Sequence, residues 1–223
     1  MNSPSKIIFK KSIYKLLSLT PKSLYLEAFY ALYRNSCLRE KGWFESFILK
    51  ESINLSRKPI PWYTYPAIDF LEKRLTKEMK VFEYGCGNST RWYADKVNSV
   101  TSVEHDPKWF EIVSQDLPKN VKLIRQDLED QQYASEITRT QEKFDVVVID
   151  GRDRFASTRF SISCLKENGI LVFDNSERPK YQEAFAFLEN QGYKKLDFVG
   201  MGPINCYEWA TSIIYKNQNC IGL

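Results

Sequence analysis

A carboxylate and two glycines stand close together at the end of an apolar run. Glu83 precedes Gly85 and Gly87 in the segment Val-Phe-Glu-Tyr-Gly-Cys-Gly-Asn-Ser-Thr, residues 81–90. Glycines tolerate positive φ angles and let a ligand approach the backbone closely. The helix that follows can direct its free N–H groups at the same ligand. Three polar residues are candidates to cap it: Asn88, Ser89 and Thr90.

The charge of Glu83 favours one kind of nucleoside cofactor over another. In a dinucleotide site the turn faces a pyrophosphate, which a carboxylate two residues before the first glycine would repel. S-adenosylmethionine has no phosphate and carries an ammonium and a sulfonium, so a carboxylate can bind it through a charge-assisted contact. Glu83, Gly85 and Gly87 resemble the first motif of the class I S-adenosylmethionine-dependent methyltransferases, many of which have a third glycine where this chain has Ser89. An ordinary strand, turn and helix could carry the same glycines.

A second carboxylate, Glu104, ends the next predicted strand and is expected to accept both ribose hydroxyls, because it lies about 20 positions beyond the glycines. Alone it would suit a nicotinamide cofactor equally well, and together with Glu83 it favours the methyl donor. The resemblance implies that the donor contacts Glu83, Tyr84, Gly85, Gly87, Asn88, Ser89, Glu104, His105, Asp127, Leu128, Asp150 and Gly151.

Two of these residues have an alternative role that involves no cofactor. Asp127 follows the third strand, where the family recognises adenine, and it can accept from the exocyclic amine or simply cap a surface helix. His105 is the one histidine of the chain. It can lie beside the adenine ring or be an ordinary loop residue.

From residue 80 onward the apolar pattern alternates between strands and helices, which predicts a parallel sheet with right-handed crossovers. The predicted strands cover residues 80–84, 99–104, 121–125, 144–150 and 169–174, and the helices cover residues 89–96, 107–116, 131–139, 155–166 and 179–190. Residues 193–199 and 207–215 are too close for a crossover helix and should form an antiparallel hairpin. We therefore predict an α/β fold, a Rossmann-like seven-stranded mainly parallel sheet with a C-terminal antiparallel hairpin, plus an N-terminal helical extension.

The segment before this sheet divides into predicted helices and a rigid aromatic stretch. Helices are expected over residues 5–18, 22–35 and 66–76, and we divide the chain into a basic helical extension, 1–58, and a methyltransferase domain, 59–223. The second helix can form one apolar face from Leu24, Leu26, Phe29, Tyr30 and Leu32. Three aromatic residues in a proline-rich stretch can form a lid that binds substrate or can simply pack in the core: Trp62, Tyr63 and Tyr65.

Acidic and amide groups end two neighbouring buried strands, where carboxylates are costly unless they bind something. Asp150, Asp174 and Asn175 offer three oxygen ligands that suit Mg²⁺ or another divalent cation. They resemble the metal triad of the catechol and caffeoyl-type O-methyltransferases, in which the cation holds the acceptor hydroxyl. This chain departs from that pattern because Asp153 stands where those enzymes usually have a lysine base.

A metal-free account of the same strand ends stays open. In it, Asp150 orients the donor or takes a proton, while Arg152 and Arg154 hold an anionic acceptor. In a third alternative, these acidic and amide groups have a purely structural role and bind neither a metal nor an acceptor. The candidate catalytic residues are Asp150, Asp153 and Arg154, and Arg152 and Arg154 are candidates for substrate binding.

Charge is concentrated at the start of the chain. The net charge is +4, and residues 1–60 hold 11 Lys and Arg against 4 Glu, a net of +7. This arm could meet a membrane surface or another anionic partner, or it could be a solvated helix packed on the core. Five cysteines without a CxxC spacing suggest reduced thiols, and no signal peptide or membrane span is evident, so we expect a cytoplasmic protein.

Together these features predict an S-adenosylmethionine-dependent methyltransferase, most simply an O-methyltransferase of a small-molecule or sugar-like acceptor. We expect no nucleic acid partner. Two alternatives are an aminopropyltransferase-like enzyme, which would need more acidic residues for a polyamine, and a noncatalytic scaffold that binds the donor. The chain lacks the Asn-Pro-Pro-Tyr or Asp-Pro-Pro-Tyr tetrapeptide of amino-group methyltransferases.

Overall fold

The computed structural model describes residues 21–223. The helix predicted over residues 5–18, with four of the 11 Lys and Arg residues of the basic arm, lies outside the described residues. No helix within residues 21–223 is both long enough and apolar enough to cross a membrane.

One seven-stranded sheet organises the described chain, as predicted. Its strands are β1 Lys80–Tyr84, β2 Ser99–Glu104, β3 Val121–Arg125, β4 Phe144–Ile149, β5 Leu165–Asp174, β6 Lys194–Gly200 and β7 Trp209–Tyr215. The spatial order is β3-β2-β1-β4-β5-β7-β6. Strands β1 to β5 pair in parallel, whereas β7 pairs antiparallel with both β5 and β6. The carboxyl ends of β1, β2, β4 and β5 therefore meet at one edge of the sheet.

The helices lie before the sheet and between its strands. They are α1 Pro21–Asn35, α2 Cys37–Lys41, α3 Trp43–Leu49, α4 Tyr65–Glu72, α5 Asn88–Lys96, α6 Pro107–Ser114, α7 Gln132–Arg139, α8 Arg154–Cys164 and α9 Gln182–Asn190. Short 3₁₀ turns at Glu129–Gln131 and Pro179–Tyr181 precede α7 and α9. The sequence patterns did not predict α2 and α3, which are separated by Gly42 at a φ of +79°. The strand predicted at residues 169–174 begins earlier, at Leu165.

Apolar side chains cover both faces of the sheet. Val146 and Val148 of β4 pack on one face with Leu71 of α4, whereas Val147 and Ile149 pack on the other. Every residue of β4 is buried, as is typical of a central parallel strand. Each fully buried side chain of this size stabilises the fold by roughly 1.5–3 kcal/mol, so the strand ends that carry the polar groups are held rigidly.

The N-terminal segment contacts the sheet domain through residues 38–60 rather than through α1. Leu38 packs against the core, and Lys41 pairs with Asp69 of α4. Trp43 Nε1 donates a hydrogen bond to Asn205 O at 2.7 Å, and Asn88 Nδ2 donates to Ser52 O at 2.9 Å. In α1, however, Leu26 and Phe29 are 56% and 66% exposed. Tyr30 and Leu32 are exposed as well, so the described part of the predicted apolar face, residues 26–32, is not packed against the sheet.

Candidate functional site

A cavity of about 710 Å³ opens at the carboxyl ends of β1, β2 and β4. This is the edge at which open α/β sheets bind ligands. Residues from several elements line it: Trp62, Glu83, Gly85, Cys86, Ser89, Glu104, His105, Asp106, Trp109, Asp150, Gly151, Arg152, Asp153, Arg154, Phe155, Arg178, Lys180 and Tyr181. Most of the residues predicted for donor and acceptor binding thus share one cavity.

The glycine turn forms the cavity wall after β1. Gly85 has a φ of +95°, which favours glycine, and its N–H donates to Val103 O at 2.9 Å. Trp109 Nε1 donates to Cys86 O at 2.8 Å and so fixes the turn from α6. The predicted caps are placed differently: the helix N-cap is Gly87, and Thr90 Oγ1 accepts from Gly87 N at 2.9 Å from within α5.

Glu83 lies buried at the base of this cavity. Its Oε2 accepts hydrogen bonds from Thr90 Oγ1 at 2.5 Å and from Ser102 Oγ at 2.9 Å. Burial raises the pKa of Glu83 to about 7, although hydrogen bonds from Ser89, Thr90 and Ser102 act in the opposite direction. A buried carboxylate without a cationic partner is costly, so a positively charged ligand would stabilise its ionised form.

Glu104 is held in one orientation at the end of β2. Its Oε1 accepts from the backbone N–H groups of His105 and Asp106, both at 2.8 Å, and lies 2.9 Å from His105 Nδ1. Its Oε2 lies 3.6 Å from Cys86 Sγ, which is a weak donor. With one oxygen fixed, the carboxylate can accept hydroxyl groups of a ligand through the other. His105 itself lies edge-on to the Tyr133 ring, with centroids 5.9 Å apart.

Five residues predicted to contact the donor do not line the main cavity: Tyr84, Gly87, Asn88, Asp127 and Leu128. Asp127 is exposed and pairs with Arg125 Nη2 at 2.8 Å, and the adjacent Leu128 is also exposed. Tyr84 is buried, and its hydroxyl donates to Ala134 O at 2.6 Å. Asn88 lines a neighbouring cavity of about 610 Å³ on the other side of the glycine turn.

Arg154 joins the ends of β4 and β5 from the first turn of α8. Its Nη2 donates to Asp150 O at 2.6 Å and to Asp150 Oδ1 at 3.0 Å, and its Nε donates to Gly151 O at 3.0 Å. A further bond runs from Nη1 to Asp174 O. Because the side chain is 7% exposed and its donors are used within the protein, Arg154 does not fit the predicted role of holding an anionic acceptor.

The described residues give no support to the divalent cation predicted at Asp150, Asp174 and Asn175. Asp174 Oδ1 accepts from Thr211 Oγ1 at 2.6 Å and from Trp209 Nε1 at 3.0 Å. Burial, followed by the charge of Asp150, raises the pKa of Asp174 to about 8. The guanidinium of Arg154 already lies between the two strand ends as their cation. Among residues 21–223, no three His, Cys, Asp or Glu side chains form a metal-binding group.

Of the three aromatic residues predicted as a lid, one faces the site. Trp62 is 47% exposed and lines the main cavity, whereas Tyr63 and Tyr65 are buried in the core. Trp62 and Asp150 both line the main cavity and its two neighbours, of about 260 and 610 Å³. These two residues therefore stand where the three cavities meet. Tyr63 and Tyr65 are packing residues rather than lid residues.

Two cationic residues that line the main cavity were not predicted from the sequence. Arg178 and Lys180 line the main cavity from the 3₁₀ turn after β5. The available signal was topological, since both residues follow the carboxyl end of a strand adjacent to β4. Arg152 and Asp153, which were predicted, also line the cavity and are exposed.

Comparisons with known proteins agree with this fold. Residues 82–176 match a family model described as a methyltransferase domain, and no curated protein matches the chain. An rRNA methylase from Streptococcus thermophilus is similar over 68% of this chain and 96% of its own, with 17% identity and a TM-score of 0.51. Precorrin-6y C5,15-methyltransferase from Geobacter metallireducens is similar over 66% of this chain and 86% of its own, with 16% identity and a TM-score of 0.55.

A third similar structure is a Streptococcus mutans protein solved in complex with SAH. It covers 66% of this chain and 94% of its own, with 17% identity and a TM-score of 0.50. At such identities the structural likenesses establish the fold, and the family match adds the segment that carries the glycine turn and both strand ends. Residues 82–176 therefore resemble a methyltransferase domain, and the described chain has the mainly parallel α/β fold of these methyltransferase structures.

Proposed function

We propose that the chain uses S-adenosylmethionine to methylate an oxygen atom of a small-molecule, sugar-like acceptor. The observation that carries this proposal is the buried carboxylate of Glu83 at the base of the 710 Å³ cavity beside the glycine turn. A cationic nucleoside matches that charge, whereas a pyrophosphate would be repelled.

The residues that would hold the donor form one wall of the cavity. Glu83 faces the cationic end, Glu104 accepts ribose hydroxyls, and the turn at Gly85 allows close backbone approach. Trp109 and His105 add ring surface on the same wall. S-adenosylmethionine supplies a methyl group on a sulfonium and leaves as the neutral thioether S-adenosylhomocysteine.

Asp150 is the proposed base for the acceptor hydroxyl. Burial raises its pKa, and Arg154 acts in the opposite direction. The ion pair with Arg154 Nη2 at 3.0 Å favours the ionised form that a base needs. As the acceptor oxygen forms its bond to the methyl carbon, the C–S bond breaks with its electron pair left on sulfur. The hydroxyl proton passes to the carboxylate. Asp153, on the exposed rim, can relay that proton to water.

Positioning supplies most of the acceleration in this account. Holding both reactants in line can lower the barrier by roughly 7–11 kcal/mol at best. Trp62 supports this role because it lines all three cavities and can exclude water from the reacting atoms. The divalent cation considered from the sequence has no part in the proposal. A cytoplasmic location and the absence of a nucleic acid partner stay predictions.

Titration calorimetry with the full chain tests the donor. We expect S-adenosylmethionine and S-adenosylhomocysteine to bind, and decarboxylated S-adenosylmethionine and NAD to bind at least tenfold more weakly. Tight binding of NAD alone would refute the proposal. Preference for the decarboxylated donor would favour an aminopropyltransferase-like enzyme, and donor binding without methyl transfer to any acceptor would favour the scaffold.

A further inference from the structure

We propose that the acceptor carries an anionic group, a carboxylate or a phosphate, and that Arg178 is the specificity-determining residue that binds it. This inference rests on the proposed function, because it names the acceptor class of the same site. Its first support is the position of Arg178. Three residues line both the main cavity and the 260 Å³ cavity beside it: Trp62, Asp150 and Arg178.

Arg178 stands on the acceptor side of the site. The 610 Å³ cavity on the far side of the glycine turn is also lined by Trp62 and Asp150, but Arg178 does not contribute to it. The carboxylates proposed to hold the donor, Glu83 and Glu104, line the main cavity and not the 260 Å³ cavity. A group bound by Arg178 within the 260 Å³ cavity would therefore lie outside the space lined by the two carboxylates proposed to hold the donor.

The Arg178 side chain is available to a ligand, in contrast to that of Arg154. It is about half exposed, and its ion pair with Glu177 is long, with 3.7 Å between Nε and Oε1. Glu177 Oε2 instead accepts from Ala210 N at 3.0 Å. Within residues 21–223 the Arg178 guanidinium donates no hydrogen bond to the protein. Its planar set of donors matches a carboxylate or phosphate in two-point contact.

The charges around Arg178 also favour an anion. Arg152 and Lys180 line the main cavity nearby, both are exposed, and neither forms an ion pair with any described residue. The acidic groups on this side are Asp153, Glu177, Asp150 and Asp174. Asp150 pairs with Arg154 Nη2 at 3.0 Å, and burial raises the pKa of Asp174, which favours its neutral form. Three exposed cations thus line the main cavity, and Arg178 extends this positive charge into the 260 Å³ cavity, where charge attraction is stronger than on an open surface.

The 260 Å³ cavity suits a sugar as the body of such a ligand. Trp62 and Tyr207 expose ring surface to it, and Asn175 and Asn205 add amide groups. Aromatic surface combined with a few polar groups that fix orientation is typical of small-molecule sites. An acidic sugar, with its carboxylate or phosphate at Arg178, would use every one of these features.

Calorimetry on the full chain saturated with S-adenosylhomocysteine tests the inference with matched ligands. D-glucose is compared with D-glucuronate, which adds a carboxylate, and with D-glucose 6-phosphate, which adds a phosphate. The variant is Arg178→Gln, and the matched control is Arg159→Gln, an exposed arginine on α8 that lines a different cavity with Phe160 and Phe187.

We expect at least one anionic ligand to bind at least tenfold more tightly than glucose. Tighter binding of glucuronate would identify the acceptor's anionic group as a carboxylate, and tighter binding of glucose 6-phosphate would identify it as a phosphate. Arg178→Gln should abolish that preference, and Arg159→Gln should keep it. The inference would be overturned if glucose bound as tightly as the anionic ligands or if neither anionic ligand bound. It would also be overturned if the preference for an anionic ligand persisted in Arg178→Gln. Binding of S-adenosylhomocysteine separates the two proposals: its loss in every protein counts against the proposed function, whereas its retention without anion preference counts against this inference alone.

Discussion

The hydroxyl of Tyr133 lies against the α-carbon of Gly151, so that a β-carbon on Gly151 would stand 1.8 Å from Tyr133 Oη. The same β-carbon would be 3.1 Å from Gly85 N. Gly151 therefore has to be glycine because of its neighbours. It lets the segment after β4, which carries Asp150 and Arg152, press against the glycine turn after β1.

Gly151→Ala should consequently disturb both halves of the site. We expect the free energy of unfolding to fall by about 1–3 kcal/mol, as is usual for overpacking, and affinity for S-adenosylhomocysteine to fall with it. Urea unfolding and calorimetry measure the two effects. Adding Tyr133→Phe should recover part of the loss, because it removes Oη but leaves Cζ at 3.0 Å from the new β-carbon. A Gly151→Ala protein as stable as the wild type would contradict this contact.

Glu83→Gln tests the electrostatic basis of donor recognition. The variant keeps an oxygen that can accept from Thr90 and Ser102 but removes the negative charge. We expect affinity for S-adenosylmethionine to fall at least tenfold, or about 1.4 kcal/mol. Glu111→Gln, on the exposed surface of α6, is the control and should bind normally. Equal affinity in the two variants would show that the charge of Glu83 does not hold the donor.

The raised pKa of Glu83 predicts how stability depends on pH. In the donor-free protein this carboxyl titrates near pH 7, whereas its ordinary pKa is 4.5. The folded state then binds more protons between these values, so this group's contribution is full below pH 4.5 and is lost as pH rises through 7. Relative to Glu83→Gln, the wild type should lose up to about 3 kcal/mol between pH 4.5 and 8.

Urea denaturation of both proteins across this pH range isolates the effect of Glu83 from that of other carboxyls. Saturating S-adenosylmethionine should reduce the loss, because the bound cation favours the ionised form. A constant difference between the two proteins from pH 4.5 to 8 would mean that the Glu83 pKa is ordinary.

The sheet was predictable from sequence because its signals are local. The seven strands follow from apolar runs of the right length, and the hairpin follows from the short connection between residues 200 and 207. The helices Cys37–Lys41 and Trp43–Leu49 depend on distant contacts instead. Trp43 Nε1 donates to Asn205 O, 162 positions away, and no local pattern encodes that bond.

The candidate site divides in the same way. The strand-end carboxylates Glu83, Glu104 and Asp150 were predictable because a parallel sheet brings its carboxyl ends together. The burial of Tyr63 and the hydrogen bonds of Arg154 to the strand ends were not predictable. Both depend on which side chains fill the space behind the strand ends. In sequence Arg152 and Arg154 look equivalent, yet one is exposed and the other is buried.

Trp62→Ala tests whether the exposed indole shapes the site. With 47% of its surface exposed, Trp62 contributes modestly to the core, so we expect the free energy of unfolding to change by less than about 1 kcal/mol. Ligand affinity on the acceptor side should fall at least fivefold in the calorimetric assay, and Trp62→Phe should restore most of it. A large loss of stability would instead make Trp62 a packing residue.

Arg154→Lys tests whether the guanidinium replaces a metal ion at the strand ends. Lysine keeps the charge but cannot bond to the carbonyl groups of Asp150, Gly151 and Asp174 together. Because buried polar groups would lose their partners, we expect the free energy of unfolding to fall by about 3 kcal/mol or more. Arg159→Lys on the same helix is exposed and should change it by less than about 0.5 kcal/mol.

A chelator provides the complementary test of the same arrangement. If Arg154 supplies the cation that joins β4 to β5, EDTA should leave wild-type stability and S-adenosylhomocysteine binding unchanged, and added Mg²⁺ should not restore Arg154→Lys. Stabilisation of the wild type by millimolar Mg²⁺, abolished by Asp174→Asn, would place a metal ion at these strand ends after all. The Trp209 and Thr211 hydrogen bonds to Asp174 Oδ1 argue against that result, because they commit one of its two carboxylate oxygens to the protein.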